Sequence, residues 1–111
     1  MNDTQLTQEV TRLHADICSA LADPTRILLL YSLAEKSRTV NELTNEVQIS
    51  QATTSRHLKV LREHGLVRAV RQGQFIEYSL NDPRIIEALD LLRAVLRDSL
   101  AHRANLMVIS E

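Results

Sequence analysis

Aromatic side chains are nearly missing from this chain. They make up 3% of it, and there is no tryptophan. A core must therefore be built from Leu, Ile, Val and Ala, which favours helices packed on helices. Glycine and proline are scarce too, two of each, so long structureless loops are not expected. A single cysteine excludes an intrachain disulfide. No apolar run approaches the roughly 20 residues that span a bilayer. Residues 1–11 are polar and acidic, unlike a signal peptide. A cytoplasmic location with no membrane partner is the expectation. Gly-rich phosphate loops, nucleophile elbows and paired carboxylates with an obvious pocket are absent from the sequence, so no enzyme and no catalytic residue are expected.

What is present suits one small globular domain over residues 1–111, with 44% hydrophobic residues. A chain of this size gains stability from a partner surface. The net charge of −1 argues for no particular partner, but its distribution does. Residues 50–74 carry Arg56, Lys59, Arg62, Arg68 and Arg71 against Glu63 alone, a local +4. Residues 1–25 are net acidic, with one Arg against four acids.

Leu6, Val10, Leu13, Ile17 and Leu21 form one stripe of an amphipathic helix starting near Thr4. Asp23-Pro24 reads as an N-cap and first position of a second helix. Ile27, Leu28, Leu29, Leu30 and Leu33 make that helix apolar over most of its circumference, hence central. Ser37 to Thr39 is a short break. Thr39 and Glu42 have capping-box spacing for a third helix, which buries Val40, Leu43 and Val47. Ile49 closes a turn, and Ser50 caps a fourth helix that ends at Gly65. The period then changes to two. Arg68, Val70 and Gln72 alternate before Gly73, and Ile76, Tyr78 and Leu80 after it, which predicts a β-hairpin. Asp82-Pro83 opens a long last helix with stripes Ile85, Leu89, Leu92, Leu96, Leu100 and Ile86, Leu91, Val95. The order α-α-α-α-β-β-α is that of a winged helix-turn-helix, a mainly α (α+β) fold.

Such a fold places its fourth helix in a DNA major groove. If Thr54, Leu58 and Leu61 face inward, Gln51, Ala52, Ser55, Arg56 and Lys59 face outward. Gln pairs bidentately with adenine and Arg with guanine, Ser donates or accepts, and an Ala methyl meets a thymine methyl. Gln51, Ala52, Ser55 and Arg56 are the candidate base readers. Ser50 and Thr53 at the helix start, Lys59, and Arg68, Arg71 and Gln74 on the hairpin are candidate backbone or wing contacts. The expected partner is double-stranded DNA. The competing reading is a basic but idle surface.

The segments Ala20-Leu21-Ala22-Asp23-Pro24-Thr25-Arg26, Ser50 through Leu61 (SQATTSRHLKVL), Gly65-Leu66-Val67 and Arg71-Gln72-Gly73 together resemble the ArsR/SmtB family of bacterial repressors. The resemblance spans about residues 15 to 100. It implies a homodimer held by the first and last helices (4–22 and 83–107), a helix-turn-helix over 39–64 and a wing over 66–80. It also implies a repressor of inverted-repeat operators, released by an effector. Two metal-ligand sets are common in that family. The Cys-Val-Cys of the third helix corresponds to Thr44-Asn45-Glu46 here, so both thiols are replaced. The last-helix set corresponds to Asp82, Arg84, Val95 and Asp98, which lacks imidazoles and suits zinc poorly. No cofactor is expected and the effector stays unidentified. The alternatives are an effector-free or thiol-responsive regulator, or a winged-helix dimer used for protein contacts only.

His14 and Cys18, four residues apart, suit a soft metal such as zinc or copper(I), with His102 joining across a dimer. The plainer reading is preferred: Cys18 a small packed hydrophobe, His14 a surface residue and no metal site. His57 is expected to be partly buried, and His64 to interact with the helix dipole. Phe75 and Tyr78 are expected to pack in the wing or core.

Overall fold

A computed structural model describes residues 3–110. Helix α1 (Asp3–Arg12) runs directly into a π-helical segment (Leu13–Cys18), in which the Ser19 N–H reaches His14 O. Asp23 then caps α2 (Pro24–Glu35) by accepting from the Thr25 N–H at 2.8 Å, with Pro24 in the first turn. A two-residue strand β1 (Arg38–Thr39) leads into α3 (Val40–Val47). The capping box closes as the spacing predicts: Thr39 N–H to Glu42 Oε1 at 3.0 Å and Glu42 N–H to Thr39 Oγ1 at 3.3 Å. Helix α4 (Gln51–Glu63) follows, capped by Ser50, then strands β2 (Val67–Gln72) and β3 (Phe75–Leu80) and the long helix α5 (Arg84–Ser110).

Two differences from the expected order have physical causes. Ser37 to Thr39 is not simply a break, because β1 pairs antiparallel with β3 (Arg38 opposite Tyr78, Thr39 opposite Glu77) and makes a three-stranded sheet of order β1-β3-β2. Two residues carry no visible alternation, and their partner lies far along the chain. The turn between α3 and α4 is made by Gln48, the only described non-glycine residue with positive φ (59°), rather than by Ile49 alone. Gly65 (φ 76°) ends α4, and Gly73 (φ 63°) makes the hairpin turn. Both need the left-handed conformation that glycine adopts without a Cβ penalty.

The core lies where α2 crosses α3, α4 and the sheet. Leu29, Leu30, Leu33, Leu43, Leu58, Leu61, Leu66 and Val67 are buried in it, joined by Ala20 from the end of the first helix and Leu89 from α5. The apolar stripes of α1 and α5 enter it only at one end. Ile17 and Leu21, and Ile85 and Ile86, pack against it. Leu6 and Val10 on α1, Leu13 at the start of the π-helical segment, and Leu91, Leu92, Val95, Leu96 and Leu100 on α5 stand exposed.

Candidate nucleic-acid interface

The inner side of α4 is anchored by more than apolar contact. Thr54 is fully buried beside Leu58 and Leu61. Its hydroxyl accepts from Thr44 Oγ1 at 3.0 Å and donates to Ser50 O at 2.9 Å. One hydroxyl therefore joins α3 to α4 at the turn. A buried hydroxyl with both roles filled fixes geometry where an unsatisfied one would cost stability.

Gln51, Ala52, Ser55, Arg56 and Lys59 are all exposed on the other side. Ser50 and Thr53 form a small hydroxyl cluster at the helix start. Ser50 Oγ accepts the Thr53 N–H at 3.1 Å and donates to Thr53 Oγ1 at 2.8 Å. Arg56 Nη2 reaches Thr53 Oγ1 at 3.4 Å, and Lys59 Nζ lies 4.0 Å from Glu63. These exposed contacts are weak and leave both cations available to a phosphate.

The hairpin separates the wing candidates. Along β2 alternate residues share a face, so Arg71 lies on the face of buried Val67 and half-buried Ala69, which turns toward the helices. Arg68 lies on the opposite face, where its Nε donates to Ser79 Oγ at 3.1 Å. Arg71 Nε reaches Gly73 O at 3.4 Å, close to the tip. Gln74 is exposed in the turn. With Gln51, Gln72 and Asn41 it lines an open groove of ≈ 660 Å³ between the wing and the helix-turn-helix. Tyr78 is half-buried, but Phe75 is 64% exposed at the wing tip and is not a core residue. It occupies the last rung before the turn, beyond the reach of the core.

The positions that correspond to metal ligands are engaged otherwise. Thr44 donates to Thr54, and Glu46 accepts from Arg38 at 3.2 Å. Asp82 grips Arg84 through both carboxylate oxygens at 3.1 and 2.7 Å. Those bonds, together with the Arg84 backbone N–H, lower the Asp82 carboxyl to about 2. Neither donor set fits zinc. His14, Cys18 and His102 are exposed, and among the described residues no three His, Cys, Asp or Glu side chains gather as a metal site. Cys18 is thus not the packed hydrophobe expected from its helix. The first helix touches the core only through Ile17, Ala20 and Leu21, and Cys18 lies off that contact.

Three arginine and histidine contacts were not foreseen. Arg38 is buried, with Nη2 on Glu35 at 2.7 Å and Nε on Ser32 O at 3.1 Å, besides its link to Glu46. It ties α2 to α3. Arg26 ties the end of the first helix to half-buried His57 on α4. His64 Nδ1, at the end of α4, lies 3.7 Å from Asp16 Oδ1. Of these, only Arg26 carried a signal in the sequence, its place in the Ala20–Arg26 segment.

Comparison with known proteins agrees with this geometry. The profile of the bacterial regulatory proteins of the arsR family matches residues 23–69. A probable mercury resistance operon repressor of Streptomyces lividans is 38% identical over 86% of this chain and 79% of its own length. The crystal structure of Mycobacterium tuberculosis Rv0081 superposes with a TM-score of 0.76 at 38% identity, covering 86% of this chain and 96% of that one. The solution structure of a homodimeric winged helix-turn-helix DNA-binding domain from Mycobacterium bovis, a possible ArsR-family regulator, gives 0.72 at 27% identity, covering 92% and 93%. This chain, a winged helix-turn-helix with an exposed polar α4 face, belongs to the arsR family of bacterial regulatory proteins.

Proposed function

We propose that this chain is a sequence-specific, DNA-binding transcriptional repressor that acts as a homodimer, not as an enzyme, inside the compartment that holds the DNA. The observation that carries this is the two-sidedness of α4. Thr54, Leu58 and Leu61 are fully buried, while Gln51, Ala52, Ser55 and Arg56 are exposed and chemically suited to base edges. In this reading those four contact bases. Ser50, Thr53 and Lys59 hold the backbone, together with Arg71 and Gln74 of the wing. Arg68, on the other wing face, is the weakest member of the set.

The bare apolar stripes of α1 and α5 support dimerisation of residues 4–22 and 83–107, with 39–64 as helix-turn-helix and 66–80 as wing. An inverted-repeat operator follows from a two-fold dimer. Repression is supported by the roles of relatives, among them the probable mercury resistance operon repressor of Streptomyces lividans. No metal or cofactor is assigned. The exposure of Cys18 favours one second reading, control by thiol modification or an interchain bridge.

The test is a gel-shift titration against the DNA upstream of the chain's own coding sequence, run over a salt series. Expected is a complex of two chains per duplex, with affinity falling steeply as salt rises. Equal affinity for a scrambled duplex contradicts specific binding. Loss of oxidant sensitivity in Cys18→Ser separates the second reading from the first.

A further inference from the structure

Each of the three nitrogens of the Arg26 guanidinium has a contact within the chain. Its Nε donates to Ala20 O at 2.6 Å and its Nη2 to Ser19 O at 3.3 Å, both at the end of the first helix. Its Nη1 lies 3.3 Å from His57 Nδ1. A guanidinium has donors only, so the imidazole nitrogen facing it must accept. A neutral ring that accepts at Nδ1 carries its proton on Nε2. Arg26 therefore dictates the tautomer of a histidine on α4. No residue of the chain accepts from that Nε2–H among the described residues.

The position of the ring gives this free donor a use. His57 follows Thr53 by four residues, so the two stack along one flank of α4. That flank borders the outward face carrying Ala52 and Arg56, and at His57 it meets Arg26 in the first turn of α2. A flank beside a base-reading face runs along the sugar–phosphate wall of the groove. The surrounding charge is mixed. The Asp23 carboxylate caps α2 nearby, and the Arg26 cation and the positive end of the α2 dipole offset it.

We propose that His57 is a DNA-backbone contact, donating from Nε2 to a phosphate oxygen in the tautomer that Arg26 sets. This rests on the DNA-binding reading above. Arg26 then acts as a positioning residue that connects the first helix to the DNA contact.

The test uses the full chain and its specific duplex at fixed salt and pH, with two variants. The amide nitrogen of Gln reaches the place of Nε2 but offers Arg26 no acceptor at Nδ1. Asn offers an acceptor near Nδ1 but no donor at Nε2. Expected is near wild-type affinity for His57→Gln and a loss of about tenfold for His57→Asn, the scale of a hydrogen bond to a charged group. A duplex with a single neutral methylphosphonate at the contacted phosphate weakens wild type but does not weaken His57→Asn further. If Asn binds like wild type, or Gln fails while Asn is tolerated, the ring acts only through Arg26 and the proposal falls.

Nitrogen-15 spectra of the wild-type imidazole need no variant. They are expected to show the Nε2–H tautomer in the free protein, and a slowed Nε2–H exchange with duplex. The Nδ1–H tautomer overturns the proposal. A wild type with no preference for its duplex over a scrambled one overturns the DNA-binding reading itself, and this inference with it.

Discussion

Thr54 shows how one buried side chain ties α4 to α3. Its hydroxyl is buried and has a partner on α3 and another at the start of α4. Thr54→Val keeps the shape and removes the hydroxyl, leaving Thr44 without its acceptor. A stability loss of about 1–3 kcal/mol is expected, read from the urea midpoint. Asp82 makes a different prediction. Its bonds to Arg84 lower its folded pKa from the ordinary 3.8 to about 2. The contribution is therefore present above the unfolded value and is lost as pH falls through about 2. Carboxyl-carbon NMR is expected to show this titration, and Arg84→Ala to move it upward, with the backbone N–H retaining part of the shift. The Asp82–Arg84 pair is local in origin, whereas Thr54 also reaches back ten residues to Thr44 on α3. Capping residues are legible because they act on neighbours one turn away, as Asp23, Thr39 and Ser50 do. The Arg26–His57 and Arg38–Glu46 contacts were not, since they join residues that only packing brings together.

Helices and hairpin were readable by period, and their inner faces too. Leu43, Leu58 and Leu61 are buried where their spacing placed them. Three things escaped. The strand β1 is two residues long and exists only through β3. The π-helical turn at Leu13–Cys18 leaves no mark on an apolar stripe that continues through it. The division of the wing needed the register, which puts Arg68 and Arg71 on opposite faces. That division is testable through electrostatics. Arg71→Ala is expected to reduce the slope of log affinity against log salt by about one per chain, and Arg68→Ala to leave it nearly unchanged. Equal effects of both would mean that the wing meets DNA edge-on at both faces.

The whole chain is extended for its size. Its radius of gyration is 17.5 Å, with extents of 61 × 41 × 21 Å, against about 13 Å for a compact chain of this length. The excess comes from α1 and α5, whose leucines project away from the core. Exposed apolar stripes of this extent are what the proposed dimer would cover with a second copy. Leu92→Glu with Leu96→Glu is expected to yield a monomer by sedimentation, and to abolish the concentration dependence of thermal unfolding. A dimer that survives both changes has its interface elsewhere. Outward and inward positions of α4 were legible from the sequence, but operator and effector were not, because neither leaves a geometric trace in one chain. The central claim is that Arg56 and its neighbours read bases. The most direct measurement is the affinity ratio between the operator duplex and a scrambled duplex, for wild type and Arg56→Ala at one salt concentration. Expected is a ratio in the variant smaller by about 1–3 kcal/mol for each lost bidentate contact, with scrambled binding much less affected. An unchanged ratio contradicts base reading by Arg56.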